Sequence, residues 1–168
     1  MTPALLPAEA ADGFVQLAAT APLHADHDRV VELLSGDECP WPGGEAVRPA
    51  VAGLRRYEID LRLRLGRDEA GMTTFRKAAL LDLGPVVVNG DGWEAQISWR
   101  SAGAAPLFPV FSGALQVDRG RLTIEGLYAP PLGTIGRVAD RMLLHVAANG
   151  TARWLVHELD RAALGAAA

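Results

Sequence analysis

The chain has 168 residues, of which 49% are hydrophobic and 21% are charged, and its formal net charge is −4. This composition is typical of a globular protein and excludes general disorder. The length predicts a single domain over residues 1–168, with a loose lead-in at 1–12. The acidic balance argues against a nucleic-acid binder, which needs a basic face.

The cysteine content and the hydropathy of the sequence further limit the class of protein to which this chain can belong. Cys39 is the single cysteine, so we expect neither an internal disulfide framework nor a thiolate zinc cluster. No apolar run reaches the roughly 18 residues of a membrane helix, and no basic segment beyond Met1 precedes an apolar one. We therefore expect a cytoplasmic protein with no integral membrane segment.

The N-terminal third is predicted to contain one strand and one short helix. Residues 13–21 can form a first strand, with Phe14, Gln16 and Ala18 on one face and Val15, Leu17 and Ala19 on the other. Residues 26–35 have helical spacing, with Asp26 and Asp28 in the first turn, where they complement the helix dipole, and Gly36 can end the helix.

A Pro- and Gly-rich stretch, 37–53, follows and is predicted to be a loop. Within it Trp41 has two interpretations: a mobile residue at the entrance of a cavity, or an ordinary loop anchor.

Residues 54–65 give the clearest strand pattern in the chain. Tyr57, Ile59, Leu61, Leu63 and Leu65 alternate with Arg56, Glu58, Asp60, Arg62 and Arg64. This period of two predicts one buried face and one solvated face. The arginines could form a local basic strip, but a half-buried strand presents such residues to solvent, so we interpret them as its wet face.

Further strands are predicted after this one, joined by short turns. Their predicted ranges are 73–83, 86–88, 93–100, 108–117 and 121–129. Asn89-Gly90 and Asp91-Gly92 are turn dipeptides of the hairpin type, and 118–120 separates the last two strands. Short connections without crossover helices predict an antiparallel meander and an α+β fold.

A helix of roughly thirty residues is predicted after Pro130-Pro131, starting near Gly133 and Thr134. Its narrow apolar stripe consists of Leu144, Ala148, Ala152, Leu155, Leu159 and Ala162. The small residues Ala148 and Ala152 either let a sheet come close or leave space beneath the helix.

Three stretches of the second half, LFPVFSGALQV, LTIEGLYAPPLGTIG and ADRMLLHVAANGTARWLVHEL, resemble bacterial members of the START/Bet v 1-like superfamily, also called the polyketide cyclase/dehydrase and lipid-transport group. The resemblance covers most of the chain as topology and is specific only over 107–160. It implies a helix-grip fold, in which a curved antiparallel sheet wraps around a long C-terminal helix and leaves an apolar cavity. Members of the superfamily bind lipids, sterols, polyketides or other apolar molecules, and a minority are cyclases or hydrolytic enzymes.

The predicted cavity lies between the concave face of the sheet and the C-terminal helix. The residues predicted to line it are Tyr57, Ile59, Leu61, Ile97, Trp99, Arg141, Leu144, His145 and Ala148. Arg141 and His145 would be the polar anchors for a ligand. The alternative is that Arg141 covers apolar surface or pairs with a carboxylate, and that His145 is hydrogen-bonded at the helix margin.

No catalytic motif is present: the chain has neither a GxxxxGK[ST] loop nor a GxSxG elbow. Acid–base chemistry would need a titratable pair inside the cavity. The inward polar candidates are Tyr57, Tyr128, Arg76, Arg100, Arg141 and His145. The segment HADHD (24–28) contains metal-ligating residue types, but its histidines begin a helix instead of forming an i, i+4 pair, so we predict no metal site and no cofactor.

These features favour a protein that binds an apolar or amphipathic small molecule in the cavity. The alternatives are a cyclase- or hydrolase-type enzyme that uses the same cavity, or a protein-interaction domain with a filled core. The pattern does not predict an oligomeric state.

Overall fold

The computed structural model describes residues 14–36, 41, 43–49, 52–68, 71–103, 110–129 and 138–165, with the side chains of 62–68, 71–75 and 138–147 left out. The elements in chain order are β1 (Val15–Pro22), α1 (His27–Ser35), β2 (Glu45–Val47), β3 (Arg55–Asp68), β4 (Gly71–Leu83), β5 (Val87–Asn89), β6 (Gly92–Ser101), β7 (Val110–Asp118), β8 (Arg121–Ala129) and α2 (Val138–Gly165). The predicted strands and helices are therefore present within a few residues, except that the short strand β2 lies in the stretch predicted as a loop.

All the strands belong to one antiparallel, curved sheet. Its order is β1-β8-β7-β6-β4-β3-β2, and β5 pairs with β6 beside this path. From β3 to β8 the chain follows the predicted meander, while β1 pairs with β8. A curved antiparallel sheet that packs against a long C-terminal helix is the helix-grip fold, so the predicted fold class is confirmed.

Local interactions define both ends of α1. The Asp26 side chain accepts a hydrogen bond of 2.9 Å from the backbone N of Asp28, an N-cap of the expected kind. At the other end the backbone N of Gly36 donates to Glu32 O. The Arg55 guanidinium on β3 donates to Leu34 O and Gly36 O. The guanidinium cation binds carbonyl groups at the helix end that have no partner within the helix. It also opposes the negative end of the helix dipole and joins α1 to the sheet.

The hydrophobic core lies on the inner face of the sheet, the face that α2 covers. On β3 and β6 the alternation predicted from the sequence is confirmed, because Tyr57, Ile59, Trp93, Ile97 and Trp99 are all at most 3% exposed. The residues between them point to the opposite, outer face, where Glu58, Glu94, Gln96 and Arg100 are exposed.

Helix α2 presents small and branched residues to the sheet. Its buried hydrophobic residues are Ala148, Ala152, Leu155, Val156, Leu159 and Ala163. The predicted stripe is right as far as Leu159 over the described side chains, but Ala162 is only half-buried and Ala163 takes the core position. The predicted start, at Gly133 and Thr134, lies outside the described residues. Among those that are described, no helix is long and apolar enough to cross a membrane.

Candidate functional site

Helix α2 rests on the margins of the sheet more than on its middle. Most of its close backbone contacts with the sheet are to β3 on one side and to β1 on the other, with fewer to β8. In the part of the chain that the structure describes, the backbones of the central strands β4, β6 and β7 make few or no close contacts with α2. The space between the helix and the middle of the sheet is therefore bounded by side chains of the central strands.

A row of large residues crosses the inner face of the sheet in this space. In strand pairing Tyr57 is opposite Leu81, Leu81 opposite Trp99, Trp99 opposite Phe111, and Phe111 opposite Tyr128. All five are at most 2% exposed. We call these five residues the aromatic row. A largely aromatic surface of this kind, interrupted by Leu81 alone among the five, suits contact with a flat or elongated apolar molecule.

Two glycines make room for the centre of the aromatic row. Gly113 and Gly126 are opposite each other on β7 and β8. A Cβ placed at Gly113 would lie 2.7 Å from the Cζ atom of Phe111, and one placed at Gly126 would lie 2.9 Å from the same atom. The Cζ end of the Phe111 ring therefore lies close to bare backbone.

Tyr128, a member of the aromatic row, has a pKa that differs from the usual value of a tyrosine. Its burial raises the pKa of the phenol above the usual 10.0, since a buried site penalises the charged form. At neutral pH the hydroxyl is therefore protonated. Chemically, it can donate a hydrogen bond, but the raised pKa makes it a weak acid.

The predicted cavity residues fall into two groups. Tyr57, Ile59, Leu61, Ile97, Trp99 and Ala148 are buried, with their side chains between the sheet and α2. Arg141, Leu144 and His145 belong to α2, but their side chains lie outside the described part, so their roles as wall and polar anchors stay predictions. Phe111 and Leu81 are not among the predicted cavity residues, although each is the cross-strand neighbour of Trp99.

Two of the polar candidates for the interior were assigned to the wrong face. Arg76 and Arg100 are exposed, and Arg100 is opposite Leu80 on the outer face of the sheet. The physical reason is the period of two along a strand, which puts Arg100 on the side away from its buried neighbour Trp99.

Trp41 is anchored and buried. It is 1% exposed, and its indole Nε1 donates a hydrogen bond of 3.0 Å to Leu155 O on α2. Of the two interpretations offered by the sequence, this geometry is that of a loop anchor. The loop therefore adds an indole ring to the core beside the C-terminal half of α2.

The segment around His24 binds a carboxylate of α2. The Asp160 carboxylate accepts hydrogen bonds of 2.8 Å from the backbone N of His24 and 2.9 Å from that of Ala25, and lies 2.8 Å from His24 Nδ1. His27 lies near Asp28 instead. Within the described residues no three His, Cys, Asp or Glu side chains are grouped as metal ligands would be. Helical spacing alone could not have revealed that Asp160 points inward.

Two pockets that are lined by described residues lie outside the space under α2. One, of about 610 Å³, is a groove on the outer face that includes Asp82, Gln96, Ser98 and Ser112. The other, of about 640 Å³, lies at the end of the sheet where α1 begins and includes His27.

The comparisons with known proteins support the fold. No protein-family model and no curated protein matches this chain. Among solved structures, the di-domain ARO/CYC protein StfQ from the steffimycin biosynthetic pathway is similar over 95% of this chain and 54% of its own, with 15% identity and a TM-score of 0.51. This chain thus spans about half the length of StfQ, and the likeness shows a shared fold.

Two further structures match with lower TM-scores. A hypothetical protein from Helicobacter pylori is matched over 96% of this chain and 90% of its own, with 15% identity and a TM-score of 0.45. DynU16, a putative protein in the dynemicin biosynthetic locus, is matched over 89% of this chain and 46% of its own, with 18% identity and a TM-score of 0.42.

Proposed function

We propose that this protein binds an apolar or amphipathic small molecule between the inner face of the sheet and α2. The observation that carries the proposal is the aromatic row, whose middle members Leu81, Trp99 and Phe111 lie on the central strands β4, β6 and β7, which have few or no close backbone contacts with α2. Aromatic walls supply affinity by removing apolar surface from water. Ala148 and Ala152, on the facing side of α2, take up little of that space.

The test is native mass spectrometry of gently purified protein, repeated after denaturation of the same sample. We expect an apolar mass that is present in the native spectrum and leaves on denaturation. Ala148→Trp places an indole in the proposed space and should abolish that mass. Arg153→Trp adds the same side chain at an exposed position of the same helix and should retain it.

Circular dichroism and a thermal melt of both variants separate a filled pocket from a lost fold. If folded Ala148→Trp binds the ligand as well as the unaltered protein does, the space under α2 is not the binding site. A filled core and a recurrent protein partner in pull-downs would instead favour an interaction domain.

A cyclase-type activity is the second candidate, and the protonated phenol of Tyr128 is the observation that favours it. Buried in the aromatic row, it is suited to donating a hydrogen bond to an oxygen of a bound substrate. The known occurrence of this fold in StfQ is an analogy and does not determine the reaction. With a ligand identified, Tyr128→Phe should lower turnover and leave binding largely intact; equal turnover would exclude this role.

A further inference from the structure

The pocket at the α1 end of the sheet is separate from the space under the aromatic row. It lies between the β1–α1 connection, the β5–β6 turn and the β7–β8 turn, and its volume is about 640 Å³. Strand β8 starts at this end and runs antiparallel to β1, so the chain leaves β8 toward α2 at the opposite end of the sheet. The volume is in the usual range for small-molecule sites.

Two nitrogen atoms of residues that line this pocket have no hydrogen-bond partner. They are Nε1 of Trp93, a residue that is 2% exposed, and Nε2 of His27. Buried polar groups in proteins are nearly always paired, and one that is not calls for a specific explanation. An indole N–H can only donate, so Trp93 requires an acceptor.

The two nitrogens offer complementary hydrogen-bonding roles. Nδ1 of His27 lies 3.5 Å from the carboxylate oxygen Oδ1 of Asp28. A neighbouring carboxylate favours the tautomer with the proton on Nδ1, which leaves Nε2 as an acceptor. Trp93 then supplies a donor and His27 an acceptor. A hydroxyl group satisfies both kinds of partner, because it can accept one hydrogen bond and donate another.

A ligand reaches these atoms only when side chains around them move. Both nitrogens are buried from solvent, although the His27 side chain as a whole is 32% exposed. His27 is the first residue of α1, and the 3.5 Å approach to Asp28 is the one ion-pair contact described for its ring. Rotation of the ring toward solvent therefore breaks little and exposes its Nε2.

The charges around the pocket select against anions. Asp91, Glu94 and Asp118 line it together with one cation, Arg119. A net negative rim repels an anionic ligand, while carboxylates readily accept hydrogen bonds from hydroxyl groups. We propose that this pocket binds an uncharged, polyhydroxylated small molecule of the sugar or polyol class, with Trp93 donating to, and His27 accepting from, its hydroxyl groups.

The test is a titration of the ¹⁵N-labelled protein with D-glucitol, followed through the indole N–H resonances. We expect a saturable shift of the Trp93 resonance and none for Trp154, whose Nε1 already donates to Glu158 at 3.0 Å. D-gluconate, a similar polyol with a carboxylate, should bind at least about tenfold more weakly because of the acidic rim.

Two variants complete the experiment. Trp93→Phe removes the N–H and keeps an aromatic ring, and should weaken glucitol binding about tenfold as judged by the remaining resonances. Trp154→Phe should bind as the unaltered protein does. The proposal is overturned if glucitol leaves the Trp93 resonance unchanged, if gluconate binds equally well, or if a water molecule stays bound to the Trp93 N–H at saturating glucitol.

Discussion

Trp99 and Phe111 stack face to face across β6 and β7, with ring centroids 3.9 Å apart and an interplanar angle of 16°. The pair stands at the middle of the sheet, where α2 has few or no close backbone contacts with the strands. Stacked aromatic pairs contribute beyond the area that they bury. This contact therefore both stabilises the inner face and forms the centre of the proposed binding surface.

Truncation of this contact should be costly. We expect Phe111→Ala to lower the free energy of unfolding by about 3–5 kcal/mol, since it removes a fully buried ring and leaves a cavity. Chemical denaturation followed by fluorescence gives the value. Ser112→Ala, its exposed neighbour on the same strand, should change stability by no more than about 0.5 kcal/mol. Similar losses in the two variants would mean that the ring is not a core residue.

The glycines beneath the ring should tolerate no side chain. A Cβ at Gly113 would overlap the backbone O of Glu125, so Gly113→Ala should destabilise the protein by roughly 1–3 kcal/mol or more. Gly103→Ala is the matched control, because nothing lies within 4 Å of a Cβ there. A thermal melt of each variant measures the difference, and equal melting temperatures would contradict the close approach of β7 and β8.

Most of the sheet could be predicted because period-two patterns and turn chemistry are local properties. The two-residue turn between β7 and β8 has positive φ at both positions, 49° at Arg119 and 71° at Gly120. Such a turn matches the twist of the strands and determines their register. The pairing of Phe111 with Tyr128 follows from it.

The rest of the site depends on contacts between distant parts of the chain. The pairing of Trp99 with Phe111 spans a longer connection, for which no turn rule sets the register. The inward position of Asp160 depends on its contacts with the β1–α1 connection. His24, in that connection, is 136 residues away from Asp160 along the chain. Likewise, neither Trp93 nor His27 shows in its own neighbourhood that its ring nitrogen will lack a partner.

The outer face contains an ion pair that should couple β3 to β4. Arg56 donates to Asp82 through Nε at 2.6 Å and Nη2 at 2.7 Å, and the two side chains are 9% and 12% exposed. Removing one partner leaves the other charge largely desolvated, so Arg56→Met or Asp82→Ala alone should cost roughly 1–3 kcal/mol.

A double-mutant cycle isolates this interaction. The double variant should be more stable than the sum of the single losses indicates, because it leaves no unpaired charge. Urea unfolding of the four proteins gives the coupling energy. Additive losses would show that the guanidinium and the carboxylate act independently despite their geometry.

Asp160 should make stability fall at acid pH. Burial by itself would raise the pKa of its carboxyl, but hydrogen bonds from the backbone N of Ala25 and from His24 outweigh it, and the pKa lies below the usual 3.8. The ionised carboxylate therefore stabilises the folded state above about pH 4, and this contribution is lost as the pH falls through the lowered pKa.

Asp160→Asn should remove that pH dependence. At neutral pH the variant loses charge-assisted hydrogen bonds to the β1–α1 connection, and we expect a loss of about 1.5–3 kcal/mol. Below the lowered pKa the carboxyl of the unaltered protein is itself neutral, so the two proteins should converge in stability. Denaturant unfolding between neutral and strongly acidic pH measures this, with the exposed Asp60→Asn as control. A constant difference at every pH would mean that Asp160 acts through shape and not through charge.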